Sequence, residues 1–164
     1  MYREEILEHW RNPLNFGVLK NADLVIDQVN PLCGDEVTFY FKFGRGPVSS
    51  FPPASARSKQ KSKSNGKSIV DLRAVGNLST TATPLRITDV TFTGSGCAIS
   101  IASASILSEN IKNKKISMLS KITGEDVLKL IGGSVAPARL KCAFLALEAL
   151  RRAQCKLVRK INNH

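Results

Sequence analysis

The feature that most constrains the fold is a short run in which every second residue is apolar. Its apolar members are Val37, Phe39, Phe41 and Phe43. Successive side chains of a β-strand point to opposite faces, so this strict period of two predicts a half-buried strand. The β-branched run at residues 24–29 predicts a partner strand, and the turn-forming residues 31–35 lie between the two. The two runs therefore predict an antiparallel pair with one buried face.

A third strand and several helices complete the predicted fold. Residues 86–93 form a third apolar run, in which one break of the alternation indicates a β-bulge or an imperfect register. Residues 2–11 predict an amphipathic helix that ends at Asn12-Pro13, because proline disfavours helix in the residue before it. Helical patterns follow after Gly94-Ser95-Gly96, between an N-cap at Thr123 and a stop at Gly132-Gly133, and from about Pro137 onward. This order predicts an α+β fold, with a three-stranded antiparallel sheet packed with helices.

Length and charge predict one domain with two basic appendages. A chain of 164 residues, 43% of them hydrophobic, can bury one ordinary core, so we expect a single domain over residues 1–164. Of the net charge of +11, residues 44–86 carry +7 and the tail at residues 151–164 carries +5, which leaves the body nearly neutral. The polar stretch at about residues 46–84 cannot bury enough apolar surface to offset chain entropy, so it predicts a flexible basic insertion.

The positive charge also raises the hypothesis of nucleic-acid binding. The aromatic residues lie mostly in the predicted core and are not interleaved with the basic ones, which argues against a stacking platform for bases. Steep salt-dependent binding to DNA or RNA would revive this hypothesis. We therefore expect no nucleic-acid partner and assign the basic segments to solubility or to an acidic partner.

The first ten residues alternate charged and apolar side chains, so they offer no continuous apolar stretch for a signal peptide or a membrane span. We expect a cytoplasmic protein that has no membrane partner. In a reducing compartment, the four cysteines are more often metal ligands or reactive groups than disulfides. The chemistry of the cysteines is therefore the main question of function.

Three cysteines lie where the chain turns or where a helix begins. Cys33 is in the turn between two predicted strands, Cys97 follows a glycine pair at a helix start, and Cys142 is in the early turns of the last helix. Helix N-termini stabilise a thiolate, which favours both metal binding and nucleophilic sulfur. Asp35 supplies a carboxylate two residues after Cys33. These residues predict a Cys-Asp-Cys-Cys site for a metal ion.

The fourth cysteine and the two histidines do not fit this site. If the last helix is unbroken, Cys155 lies about 20 Å along the axis from Cys142, so it cannot share the site. A Cys–His catalytic pair would need His9, on the first helix, or His164, the last residue. Neither is attractive, and His9 is predicted to be a structural residue beside Trp10.

Several sequence motifs resemble the iron–sulfur scaffold family of IscU, SufU and the N-terminal domain of NifU. The motifs are residues 2–13 with Gly17-Val18-Leu19, Asn30–Asp35, Gly94–Ser105 and Pro137–Ala143. The last three contain the predicted ligands and occur in the family's order. The resemblance implies a compact α+β fold with the three cysteines at one tip. It also implies a cysteine desulfurase as sulfur donor, apo iron–sulfur proteins as recipients, and either a transient cluster, expected to be 2Fe-2S, or zinc.

Two members of that family predict different modes of action. IscU has a histidine before its last cysteine, where this chain has Lys141, and the proline-rich stretch of IscU is not reproduced at residues 135–139. Both departures resemble SufU, which implies that zinc is bound by the Cys-Asp-Cys-Cys set and that Cys33 accepts persulfide sulfur. The short spacing from Cys97 to Cys142 is similar to IscU, and the basic insertion belongs to neither pattern.

The leading hypothesis is a scaffold or sulfur acceptor rather than a free-standing enzyme. In it the Cys33 thiolate attacks a partner's persulfide, while Asp35, Cys97 and Cys142 retain the metal. Arg139 and Lys141 would lie near the anionic thiolates and moderate their charge or contact the desulfurase, although a solvated first helical turn explains both equally well.

The alternative is a structural zinc module without sulfur transfer. Such sites usually have paired Cys-x-x-Cys spacing, which does not occur here. Chelation separates the two hypotheses, since it would unfold a structural module but not a scaffold.

Overall fold

The computed structural model describes residues 4–45, 85–133 and 135–162. The helices and strands in chain order are α1 (Glu4–Arg11), β1 (Leu24–Asn30), β2 (Asp35–Arg45), β3 (Leu85–Ser95), α2 (Ala98–Ile111), a 3₁₀ helix (Ile116–Lys121), α3 (Gly124–Leu130), a 3₁₀ turn (Pro137–Arg139) and α4 (Leu140–Asn162). The predicted α+β class is therefore confirmed. The predicted insertion at residues 46–84 and the end of the tail lie outside the described residues.

The sheet is antiparallel, and β2 is its central strand. Asn30 pairs with Asp35 at the turn between β1 and β2, and Phe39 pairs with Phe92 across β2 and β3. The register shifts where Lys42 pairs with Asp89 and the next pair is Phe43 with Ile87. Thr88 is thus the extra residue on β3, which confirms the bulge predicted from the broken alternation.

One face of the sheet carries the hydrophobic core. Phe39, Phe41 and Phe92 are fully buried, and they pack in one cluster with α2 and α4 side chains such as Leu107 and Leu150. Phe39 stacks on Phe41 with ring centroids 5.9 Å apart. The burial of every second residue of β2 confirms the half-buried strand that the period of two predicted.

Buried serines on α2 hold the N-terminal segment. Ser105 Oγ lies 2.9 Å from His9 Nδ1 and accepts a 2.8 Å hydrogen bond from the Leu14 backbone N–H. Ser108 Oγ accepts a 3.0 Å hydrogen bond from Asn15 Nδ2. Because buried hydroxyls need partners, these contacts fix α1 and the following loop on α2. The structural role predicted for His9 is confirmed.

The last helix begins differently from the prediction and continues as predicted. Pro137 starts a 3₁₀ turn, and the α-helix itself begins at Leu140. The helix is unbroken, so Cys155, an exposed free thiol, lies about 20 Å along the axis from Cys142. Among the described residues, no helix is both long and apolar enough to cross a membrane.

Candidate metal and sulfur site

The candidate site lies at the end of the sheet, where the β1–β2 turn meets the first turns of α2 and α4. Cys33 is in that turn and is exposed, and Asp35, the first residue of β2, is buried. Cys97 is the half-buried N-cap residue of α2, and Cys142 is buried in the first turn of α4. Antiparallel pairing and two helix starts thus bring residues from distant parts of the sequence to one tip.

The β1–β2 turn presents Cys33 to solvent. Asn30 organises this turn, because its backbone carbonyl accepts the Gly34 N–H at 2.9 Å and its Oδ1 accepts the Leu32 N–H at 3.2 Å. Gly34 has a φ of +72°, in the left-handed region that glycine adopts at least cost. Asn30 Nδ2 also lies 3.9 Å from Cys142 Sγ, as a donor to sulfur. One buried amide therefore joins the turn to the start of α4.

Three of the predicted ligands form a compact donor set. Cys33 Sγ lies 3.5 Å from Cys142 Sγ, and both sulfurs and a carboxylate oxygen of Asp35 lie within 4.8 Å of one another. Two sulfurs bound to one zinc ion in a tetrahedral site, with bonds of about 2.3 Å, lie about 3.8 Å apart. The observed spacing fits such a donor set, and sulfur with carboxylate suits zinc or iron.

Cys97 lies beside this set rather than inside it. Its backbone N–H donates to Asp35 Oδ1 at 3.3 Å, and its Sγ lies 3.5 Å from Ser100 Oγ. Its thiol also interacts with Asp35 and Cys142. The described residues thus bring three predicted ligands together and put the fourth next to them, so the four-ligand set stays a prediction.

The electrostatics of Cys142 differ from the sequence prediction. Burial raises the pKa of the Cys142 thiol, and the neighbouring thiols of Cys33 and Cys97 and the carboxylate of Asp35 raise it further. The expectation that the helix start favours the Cys142 thiolate is therefore wrong for the metal-free protein. Removal from water is the largest cause of the raised pKa of Cys142, followed by its hydrogen bond with Cys33.

The pKa of Asp35 is lowered although its side chain is buried. Burial alone would raise the pKa of its carboxyl group, but the hydrogen bond from Ser100, together with those from the thiols of Cys97, Cys33 and Cys142, holds the pKa below its usual value. The Ser100 hydroxyl donates to Asp35 Oδ2 at 2.9 Å. A carboxylate acceptor therefore faces the thiols.

Two residues at the tip, Ser100 and Asn30, were not among the predicted site residues. Ser100 lies three residues after Cys97, one helical turn away on the same face, and this spacing was the available signal. Asn30 stands before Pro31 at the end of a strand, a typical place for a side chain that bonds its own turn.

Arg139 and Lys141 are both exposed and precede Cys142 in the chain. Their auxiliary role stays a prediction.

The fold and the tip define a small α+β domain that gathers thiols and a carboxylate at one end of a three-stranded sheet. The chain matches the family model described as "NifU-like N terminal domain" over residues 1–47 and 75–164. The chain belongs to this family, which confirms the resemblance in its motifs. Residues 48–74 lie outside the match, within the predicted basic insertion.

The curated relatives include both kinds of protein that the motifs resemble. The chain is 31% identical over 160 residues to "Iron-sulfur cluster assembly scaffold protein IscU 1" of Archaeoglobus fulgidus, covering 98% of this chain and 78% of that protein. It is 30% identical over 173 residues to "Zinc-dependent sulfurtransferase SufU" of Bacillus subtilis, covering 95% of this chain and 90% of that protein. The two modes of action are thus represented at nearly equal similarity.

Solved structures share the fold. A putative iron–sulfur cluster assembly scaffold protein for the SUF system from Fervidobacterium islandicum superposes with a TM-score of 0.60 at 24% identity, covering 93% of this chain and 96% of that one. A NifU-like protein (N-terminal) from Brucella abortus gives a TM-score of 0.56 at 19% identity, covering 98% of this chain and 94% of that one. At these identities the likeness supports the fold alone.

Proposed function

We propose that this chain is an iron–sulfur cluster assembly scaffold or sulfur acceptor that works in the cytoplasm. It binds iron, a nascent cluster or zinc through Cys33, Asp35, Cys97 and Cys142, and it receives persulfide sulfur from a cysteine desulfurase. The observation that carries the proposal is the contact of 3.5 Å between the exposed Cys33 thiol and the buried Cys142 thiol, beside the carboxylate of Asp35. Membership of the family and its IscU and SufU relatives support it.

Exposure favours Cys33 as the group that accepts sulfur. Of the three thiols at the tip, Cys33 is exposed, Cys97 is partly buried and Cys142 is buried. The deprotonated Cys33 sulfur attacks the outer sulfur of the partner's persulfide, and the partner's sulfur–sulfur bond breaks. The partner's cysteine leaves as a thiolate, and Cys33 carries the persulfide. No external oxidant or reductant is consumed in this exchange.

The remaining donors retain the metal or the cargo. Asp35, Cys97 and Cys142 would hold the ion while Cys33 exchanges between metal and sulfur. A bound cation would supply positive charge that favours the thiolate at the buried Cys142. The cluster itself is cargo, to be passed to apo iron–sulfur proteins. A 2Fe-2S cluster needs four protein ligands, which matches the size of the proposed set.

The direct test is incubation of the chain with a cysteine desulfurase and cysteine, followed by mass spectrometry of the cysteine-containing peptides. We expect one added sulfur on Cys33, and we expect its loss in the Cys33→Ser variant. Cys155→Ser is the matched control, because Cys155 is an exposed thiol remote from the tip. Wild-type protein without persulfide on Cys33, Cys97 or Cys142 would contradict the sulfur-acceptor proposal.

Metal removal separates the scaffold from the structural zinc module. The main hydrophobic cluster is formed by the sheet, α2 and α4, and Cys142 belongs to a separate small cluster with Ile99, Ile131 and Ala143. We therefore expect the chelated protein to keep its circular dichroism spectrum and a cooperative melting transition while it loses sulfur transfer. Unfolding on chelation would favour the structural module instead.

Arg139 and Lys141 supply an auxiliary positive charge in this proposal. Both are exposed beside Cys142, where a cation would attract an acidic docking surface or balance the thiolates. Lys141→Glu is expected to weaken the apparent affinity for the desulfurase several-fold at low salt, with a smaller effect at high salt. Lys156→Glu, on the same helix but remote from the tip, should change neither. Equal effects of the two variants would remove the assignment.

A further inference from the structure

The first turn of α2 is capped from outside its own segment. Cys97 occupies the N-cap position but makes no side-chain capping hydrogen bond with the described residues. The Asp35 carboxylate instead binds this turn from the sheet, with Oδ1 accepting from the N-cap backbone N–H of Cys97 at 3.3 Å and Oδ2 accepting from the Ser100 hydroxyl at 2.9 Å. Both oxygens of one proposed ligand are thus held by one turn of helix.

The hydroxyl of Ser100 makes the shorter of the two hydrogen bonds that hold the Asp35 carboxylate. Its side chain is fully buried, and its Oγ lies 2.9 Å from Asp35 Oδ2, 2.9 Å from the Cys97 carbonyl oxygen and 3.5 Å from Cys97 Sγ. A hydroxyl carries one hydrogen, so these acceptors compete for it. The carboxylate is charged, and hydrogen bonds to charged acceptors are roughly twice as strong as neutral ones. Ser100 therefore donates to Asp35 in preference to its own helix.

Gly96 packs directly against these two side chains. A Cβ at this position would lie 2.7 Å from Ser100 Oγ and 2.8 Å from the Asp35 carboxylate carbon. Such contacts are far inside normal packing distances, so the backbone at Gly96 closes directly over the Asp35–Ser100 pair. The close approach therefore requires glycine at this position.

We propose that Ser100 is a positioning residue of the tip: its hydroxyl holds the Asp35 carboxylate against α2 and fixes the orientation in which the carboxylate meets the thiols of Cys33 and Cys142. This inference rests on the proposed role of Asp35 as a ligand. Hydrogen bonds to a ligating carboxylate orient it, and their removal typically lowers metal affinity 10–100-fold. Without the hydroxyl, Asp35 keeps the Cys97 N–H but loses the closer of its two anchors.

The test is zinc competition against a chromophoric chelator with three purified full-length variants. Ser100→Ala is expected to lower zinc affinity about 10-fold or more. Ser103→Ala is the matched control, because Ser103 is also buried on α2 and its hydroxyl has no hydrogen-bond partner among the described residues. It should bind zinc as the wild type does. Ser100→Thr keeps the hydroxyl and is expected to retain affinity within a few-fold.

A spectroscopic readout separates positioning from general destabilisation. Cobalt(II) in place of zinc reports the ligand geometry through its visible bands, which should change in Ser100→Ala and stay unchanged in Ser103→Ala. Equal zinc affinity and identical cobalt spectra in Ser100→Ala and wild type would overturn the inference, and so would equal losses in both alanine variants. Absence of zinc or cobalt binding in the wild type would instead overturn the proposed metal site itself.

Discussion

In both α2 and α3 a carboxylate accepts the backbone N–H of the N-cap residue, but the two carboxylates come from different parts of the chain. In α3, Thr123 Oγ1 accepts the Asp126 N–H at 3.3 Å and Asp126 Oδ2 accepts the Thr123 N–H at 2.9 Å, which is a capping box within four residues. In α2, the carboxylate comes from Asp35, which is 62 residues before the N-cap residue Cys97. The carboxylate at α3 thus belongs to the helix itself, whereas the carboxylate at α2 belongs to strand β2.

The difference shows how a helix start can serve a site. The local cap of α3 is formed by side chains of the helix start itself, so its hydrogen bonds lie within residues 123–126. In α2 the carboxylate of Asp35 binds the N-cap N–H, so the thiol of Cys97 stays available to the tip. The same bond attaches to α2 a carboxylate that faces the thiols of Cys33 and Cys142. Precise sites need ligands held by rigid elements rather than by loops. Substitutions at α2 should therefore change metal binding, whereas substitutions at α3 should change stability alone.

Replacing each capping carboxylate by its amide should separate the two roles. Asp35→Asn keeps the shape but removes a charged ligand, so we expect zinc affinity to fall on the order of 100-fold, at the upper end of the 10–100-fold loss typical of a residue that only supports a ligand. Asp126→Asn should leave zinc affinity unchanged. Competition with a chromophoric chelator measures both affinities under the same conditions.

The interpretation of this pair depends on folding. Both variants must show the wild-type circular dichroism spectrum, and Asp126→Asn controls for the loss of a capping carboxylate as such. If Asp35→Asn binds zinc like the wild type, the carboxylate is only a helix cap and the contrast between α2 and α3 disappears.

The same contrast explains how much could be predicted from sequence. The cap at Thr123 was predictable because all its atoms lie within one turn, and β2 was predictable from its strict alternation. The candidate ligands were predictable from residue type, since thiols and a carboxylate at chain turns suit few other roles. The Asp35–Ser100 bond was not, because it joins residues 65 positions apart whose approach depends on the register of β2 with β3 and on Gly96.

The burial of Cys142 could not be predicted from the local sequence pattern either. The position of Cys142 near a helix start indicated a favoured thiolate, whereas its pKa depends on how α4 packs over the tip and on the neighbouring thiol of Cys33. The 3₁₀ turn before α4 was not predicted either, because Pro137 is compatible with either helix type. These features follow from tertiary contacts rather than from the pattern of residues.

Removal of the local cap should affect stability alone. Thr123→Ala deletes the hydroxyl that accepts the Asp126 N–H, and loss of such a cap lowers the free energy of unfolding by about 1 kcal/mol. Urea denaturation measures this difference, and Thr123→Ser should restore most of it. Zinc affinity should stay at the wild-type value. A change in zinc affinity as large as that of Ser100→Ala would show that the two helix starts are not independent.

The smallest expected effect is a pH dependence confined to α3. The backbone N–H of Thr123, then its hydroxyl, lowers the pKa of Asp126 below its ordinary value of 3.8, because both bonds favour the ionised form. The contribution of a carboxyl group with a lowered pKa is complete above the unfolded value and is lost as pH falls through the folded value. The stability gap between wild type and Asp126→Asn should therefore be present at pH 6 and shrink toward pH 3.

Urea denaturation of both metal-free proteins at the two pH values measures the gap, since titration of the thiols and of Asp35 affects both proteins alike. A gap that stays constant over this range would show that Asp126 does not act as an ionised cap.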